Sequence, residues 1–273
     1  MENNSALNNN GISIITIVLN QKDLIEQTIK SVLEQKDVNV EYIVIDGGST
    51  DGTLEIIELY RDHITHLVSE HDGGIYQAIN KGISFASYPL VGLIHCGDYY
   101  EKDVLKTVYD EFIKTKADVI YGNIEIIEEV RYKVISRFPK ADHKLLRNKM
   151  SIFHPSTFIS LKTYREFGLY DISYRSAADY ELLLRLFINK CHFFYIPIVL
   201  AVFSAEGLSS KNFKLSLNEN IRIRSKYFGK WDGYRYFMVK SGVHFMFSFR
   251  KYLIKSVIGE NNFNRIKHLK YQK

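Results

Sequence analysis

Four carboxylates of this chain sit in short stretches where a side chain could do chemistry. Asp46 opens DGGSTDGT (46–53), Asp72 lies in SEHDGG (69–74), Asp98 closes HCGD (95–98), and Asp179 lies in SAADYELLLRL (176–186). A carboxylate at a strand end accepts two hydrogen bonds from a base or a ribose, which suits Asp46. One in a tight glycine turn holds a hard divalent ion, which in turn holds a diphosphate; that suits Asp98. One at the start of a mostly apolar helix is a candidate general base, which suits Asp179, with Glu181 as the nearest alternative. Gly73 and Gly74 let a ligand approach the backbone beside Asp72, and Lys81 carries the charge to meet a phosphate. The structural alternatives are plain: Ser49 or Asp51 capping one helix, and Asp179 capping another. His95 beside Cys96 suggests zinc, but the second cysteine is Cys191 and no CxxC exists, so a zinc site is not expected. His63 and His66, in HITH, read as surface. The glycines fit neither a dinucleotide fingerprint nor a P-loop.

These residues need a frame that brings them together. ISIITIVL (12–19) is a continuous β-branched run, as in a strand buried on both faces. From Asp23, apolar residues recur at helical spacing, and Asp23 with Glu26 resembles a capping box. EYIVI (41–45), ITHLV (64–68), LVGLIH (90–95) and ADVIYG (117–122) read as further strands. Helices are expected over 54–62, 75–86 and 104–113. Strands alternating with helices imply βαβ units and a mainly parallel sheet, whose ligands bind at the carboxyl ends of the strands. Those ends carry Asn20, DGGSTDGT, SEHDGG and HCGD. Beyond residue 122 the alternation loosens through a polar stretch, 123–149. The chain is read as a disordered arm (1–10), one α/β domain (11–210) and a helical C-terminal extension (211–273).

Composition narrows the classes. With 46% apolar residues, 19 Tyr and 17 Phe, the bulk is no disordered chain. Two cysteines exclude a disulfide scaffold and suit a reducing compartment. The start MENNSALNNN lacks the parts of a signal peptide, and no apolar run is long enough to span a membrane. The net charge of +5 hides an asymmetry: residues 211–273 hold 15 Lys and Arg against 3 Asp and Glu. The remainder is acidic. A basic, aromatic tail on an acidic body points to an anionic surface as its partner. At 100° per residue over 231–258, Lys240, Lys251 and Lys255 share one side, and Met238, Phe245, Phe249 and Leu253 the other. Trp231 and Tyr234 are placed at headgroup depth, as in an interfacial helix.

Taken in order, QTIKSVLEQ (27–35), IDGGSTDGT (45–53), SEHDGGIYQAINKGI (69–83), LIHCGDYY (93–100), HPSTF (154–158) and AADYELLLRL (177–186) resemble the glycosyltransferase family 2 enzymes. The resemblance covers about residues 11–210. It implies the GT-A fold and inverting transfer of a sugar from a nucleotide diphosphate donor, UDP-linked by preference, to an acceptor hydroxyl. It implies a divalent cation, Mn²⁺ or Mg²⁺, as cofactor. Carried over by residue, Asp46 matches the base-recognition aspartate, Asp72 lines the nucleotide pocket, and Asp98 matches the last aspartate of the metal motif. Asp179 matches the catalytic base, and His154 stands on the acceptor side. AEGLSS (205–210) resembles the loop that closes on the donor. The departure is at the metal motif, where His95, Cys96 and Gly97 replace the residues common in relatives. The expected acceptor is a lipid-linked saccharide in bacterial surface polysaccharide synthesis, with no nucleic acid partner. The expected location is cytoplasmic, peripheral on the inner face of the cell membrane. Two alternatives stand beside this reading: a nucleotidyltransferase-like enzyme, disfavoured because LNQKD after the first strand has no glycine, and an inactive sugar-nucleotide binding module.

Overall fold

The computed structural model describes residues 10–130, 133–137, 139–204 and 213–239. The arm over 1–9, the loop AEGLSS and the tail beyond 239 lie outside the described residues. The chain divides into two compact units, Met1–Lys211 and Asn212–Lys273.

In the first unit, β1 (Ile12–Val18) is buried along its whole length, as a β-branched run without charge must be. It pairs in parallel with β2 (Val40–Asp46) on one side and β4 (Leu90–Leu93) on the other, and β3 (His66–Ser69) extends the sheet beyond β2. Between them run α1 (Lys22–Leu33), α2 (Thr53–Glu58) and α3 (Ile75–Phe85). α1 buries Ile25, Thr28, Ile29 and Val32, and α3 buries Ala78, Ile79, Gly82 and Ile83, one stripe each. Gly82 lies where α3 crosses β1: a Cβ there would sit 2.5 Å from Ile15 Cγ2.

The sheet then changes character. β8 (Thr157–Ser160) runs antiparallel to β4, and β6 (Val119–Val130) runs antiparallel to β8. β9 (Phe193–Ser204) lies parallel to β6, and β5 (Tyr99–Tyr100) closes the order β3-β2-β1-β4-β8-β6-β9-β5. The sheet is parallel through β4 and mixed beyond it, with helices α4 (Val104–Thr115), α5 (Leu161–Phe167) and α6 (Ala178–Ile188). The polar stretch 123–149 is more ordered than its composition suggests. Its first part continues β6, which pairs antiparallel with β7 (Lys133–Arg137).

The capping expectation at α1 is corrected. Asp23 is already inside the helix, and the N-cap residue Gln21 makes no side-chain cap. The helix is capped instead from across the sheet: the Lys22 amide donates to Asp51 Oδ2 at 3.2 Å and the Gln21 amide to Thr53 Oγ1 at 2.9 Å.

In the second unit, α7 (Phe213–Phe228) is followed, after Gly229 at φ +87°, by helical residues 230–239. Buried Arg224 ties the two, pairing with Asp232 at 2.6 Å and lying over the rings of Phe228 and Tyr236.

Candidate active site

Parallel register brings the ends of β1, β2 and β3 to one edge, with Val18 beside Asp46 and Asp46 beside Ser69. Asp46 is fully buried there. Its carboxylate accepts from the Ser49 amide at 3.0 Å, the Ser69 hydroxyl at 2.6 Å and the Ser49 hydroxyl. Both oxygens accept from the loop, so Asp46 shapes the turn that it begins. Gly48, at φ +83°, supplies the left-handed step that turn needs.

The turn locks onto the loop after β1. The Asn20 amide donates to Ser49 Oγ at 2.8 Å, and Asn20 Oδ1 accepts from the Thr50 amide at 2.9 Å. Ser49 is thus given to the Asp46–Asn20 lock, while Gly52 is the N-cap residue of α2 and Asp51 Oδ1 accepts from the amide of Thr53, the first residue of that helix, at 3.0 Å. Asp72 faces the same turn, its Oδ2 lying 3.5 Å from where a Cβ on Gly47 would stand. Lys81 does not stand free for a phosphate. Its ammonium pairs with Asp72 Oδ1 at 2.8 Å and Glu70 Oε1 at 2.7 Å, and these partners raise its pKa.

Asp98 follows β4 in a turn pinned by α1. The Thr28 hydroxyl donates to the Asp98 carbonyl at 2.8 Å and accepts from the Gly97 amide at 3.1 Å. The Asp98 side chain is buried. Because β8 is antiparallel to β4, the 3-10 turn His154–Ser156 that precedes β8 returns to this same edge. His154 Nε2 comes to 3.5 Å from Asp98 Oδ2, and the His154 and His95 rings lie 4.3 Å apart. Burial lowers the His154 pKa to about 4 and that of His95 to about 3, so both imidazoles are neutral at pH 7. Neither His154 Nε2 nor His95 Nδ1, both buried, has a hydrogen-bond partner. Cys96 stays a thiol, its pKa pushed up to about 12 by burial.

Asp179 completes the group. It is the second residue of α6, after the N-cap Ala177, so the helix-cap alternative does not hold. With His154, Tyr164, Tyr170 and Leu183 it lines a cavity of about 10 Å³, room for roughly one water molecule. Burial raises its pKa above the ordinary value, opposed by His154, by the Tyr180 amide, which donates to Oδ1 at 2.8 Å, by its own amide, and lastly by a hydrogen bond from the Tyr76 side chain. Glu181 is corrected as an acceptor-side candidate. It is 1% exposed and faces Arg185 Nη2 at 3.1 Å, whose guanidinium holds the Phe167 and Leu169 carbonyls.

Of the residues singled out from sequence, the structure groups Asp98, His154 and Asp179 on one side. Asn20, the Asp46 turn, Asp72 and Lys81 form the strand-end loops beside β1 and β2. Sequence reasoning missed Thr28, Ser69 and Tyr76. Tyr76 was findable: it lies four residues before Asn80 on α3, inside a motif already marked.

Comparison with known proteins bears on the fold and the family. Residues 13–167 match Glycosyl transferase family 2. An uncharacterized glycosyltransferase of Mycobacterium tuberculosis, Rv1514c, is 31% identical over 206 residues, covering 73% of this chain and 77% of that one. Among solved structures, S. aureus TarS 1–349 in complex with UDP-GlcNAc superposes with TM-score 0.63 at 16% identity, over 87% of this chain and 73% of that one. Of a longer TarS chain, this chain spans 39%. Mannosyltransferase PcManGT from Pyrobaculum calidifontis, in complex with GDP-Man and Mn²⁺, gives 0.60 at 16% identity, over 79% and 63% of the two chains. At these identities the solved structures speak to the fold, which is GT-A; the profile and the curated relative speak to descent. The family match spans the strand-end loops and the carboxylate turn after β4, and the chain belongs to glycosyl transferase family 2 as a glycosyltransferase.

Proposed function

We propose that this protein transfers a sugar, with inversion, from a nucleotide diphosphate donor to an acceptor hydroxyl, residues 11–210 forming the catalytic domain. The observation that carries this reading is His154 standing between two carboxylates of different character. Asp98 lies on the strand-end side at 3.5 Å, and Asp179, with its raised pKa, lines a cavity with the same imidazole. One carboxylate serves the leaving diphosphate and the other the attacking hydroxyl. The relatives' bound UDP-GlcNAc and GDP-Man support a nucleotide-sugar donor, and UDP is the nucleotide we favour.

Asp179 takes the proton of the acceptor hydroxyl as its oxygen attacks the anomeric carbon. The bond from that carbon to the diphosphate breaks, and its electron pair leaves with the nucleoside diphosphate. A single base on the face opposite the leaving group suffices, and no carboxylate nucleophile is needed, as it would be in a retaining glycosidase. The loops of Asn20, Gly47–Thr50 and Asp72–Gly74 hold the nucleotide through backbone groups.

A divalent cation, Mn²⁺ or Mg²⁺, fits Asp98. No group of three or more His, Cys, Asp and Glu among the described residues could hold a metal ion alone. The buried Asp98 carboxylate would be the protein's share of a site that substrate oxygens complete, as such ions are commonly bound. When bound there, the cation supplies charge neutralisation for the departing diphosphate.

The acceptor we propose is a lipid-linked saccharide, met at an anionic membrane surface through the basic extension 211–273. In the described part of that extension Trp231 is 85% exposed, with Tyr234 and Met238 also exposed on the following turns. No helix of the described residues is long and apolar enough to cross a membrane. Turnover of UDP-sugars in the presence of Mn²⁺ tests the reading: release of UDP supports it, whereas transfer of the uridylyl group with release of a sugar phosphate would favour a nucleotidyltransferase.

A further inference from the structure

The motif 72–81 ends in a helix whose residues do more than line a nucleotide pocket. Tyr76, in the first turn of α3, stacks on Tyr170, with ring centroids 5.7 Å apart and planes 14° from parallel. Tyr170 is itself clamped by Asn80, one turn further along α3. The Asn80 Nδ2 group donates to the Tyr170 carbonyl at 2.9 Å, and Asn80 Oδ1 accepts from the Tyr170 amide at 3.0 Å. Tyr170 lines the small cavity that also holds Asp179. The Tyr76 side chain reaches the same carboxylate by a hydrogen bond.

We infer that Tyr76 is a positioning residue for Asp179: its hydroxyl, aimed by the Tyr170 stack and the Asn80 clamp, holds the carboxylate ionised and oriented. This rests on the reading of Asp179 as the base, and it gives α3 two tasks, since the loop before it carries Asp72.

The physical need is visible in the surroundings. The groups that face Asp179 are His154 from the turn before β8, Tyr76 from α3, and Tyr170 and Tyr164 from α5 and the loop after it. None of these is cationic at pH 7, because the His154 imidazole is neutral. The nearby cation of α6, Arg185, is given to Glu181 and two carbonyls. A carboxylate in such a place is pushed toward its protonated form, which cannot accept a proton. The Tyr180 amide, at 2.8 Å from Oδ1, opposes part of that push, and a hydroxyl that also donates to the ionised form adds to this opposition, bonds to charged groups being the strong ones.

Carbon-13 NMR titration of the aspartate carboxylates of the full chain tests this. The Asp179 signal is identified by its loss in Asp179→Asn. Tyr76→Phe keeps the stack and removes only the hydroxyl. The expected result is an upward shift of the Asp179 midpoint, with the melting temperature little changed. Asn80→Ala, which loosens the clamp, is expected to shift the midpoint in the same direction by less. An unmoved Asp179 midpoint in Tyr76→Phe overturns the inference. The base assignment fails separately, if Asp179→Asn keeps the rate of UDP-sugar turnover.

Discussion

At the scale of single residues, the active-site edge is a set of polar groups held away from water. Burial leaves His95 and His154 neutral and raises the Asp179 pKa. Because the folded-state pKa of Asp179 lies above the ordinary 3.8, activity is expected to rise with pH as Asp179 ionises, through a midpoint above that ordinary value. The sign for stability is opposite. A raised carboxylate pKa costs the folded state stability as pH rises above the unfolded value, so Asp179→Asn is expected to melt at or above the wild-type temperature near pH 7. The same substitution is expected to lower turnover by about 10²–10⁴-fold while leaving UDP affinity in place. Steady-state rates and melting curves on one preparation check both. Cys96→Ser is expected to leave Mn²⁺ response and turnover unchanged, because a thiol with its pKa near 12 is no ligand for a hard cation. Loss of the metal response in that variant, read by titration with Mn²⁺, would contradict the placement of the cation on Asp98.

At the scale of elements, what could be read from sequence was whatever local periodicity reports. The β-branched run of β1, the stripes of α1 and α3, and the placement of acidic and glycine-rich loops at strand ends were readable in this way. Contacts made across the sheet were not. Nothing near Lys22 in sequence says that Asp51 and Thr53 cap its helix, and nothing near Asp46 says that Ser69 closes its turn. Composition also misled at 123–149, where the share of polar residues hid the continuation of β6 and its hairpin partner β7. The site itself was readable as a set of residue types in order. Its division of labour was not, since Lys81 is taken up by Glu70 and Asp72 in the loop before α3, and Glu181 by Arg185 on the next turn of α6. One contact offers a clean test of how α3 is seated. Gly82→Ala would drive a methyl group to 2.5 Å from Ile15 Cγ2, against a strand with no room to move. Overpacking of this kind costs about 1–3 kcal/mol, more than the helix propensity gained. Urea unfolding is expected to show lower stability; equal or greater stability would mean that α3 stands further from β1.

At the scale of the whole molecule, charge is divided between an acidic catalytic part and a basic extension, a distribution that suits a protein working against an anionic surface. The full chain is expected to co-sediment with anionic vesicles at low salt and to be released at high salt, since each basic residue near such a surface contributes about 1 kcal/mol that salt screens. Trp231→Ala is expected to weaken that binding without altering UDP affinity. A chain that stays in the supernatant at low salt would remove the membrane from this picture while leaving the chemistry intact. The chemistry stands or falls on the donor site. Calorimetric titration of the full chain with UDP, with and without Mn²⁺, on wild type and Asp98→Ala, tests it most directly. The predicted result is UDP binding that Mn²⁺ strengthens in wild type and does not strengthen in Asp98→Ala. No UDP binding in wild type, or an equal Mn²⁺ effect in both proteins, would contradict a nucleotide diphosphate held at these strand ends through Asp98.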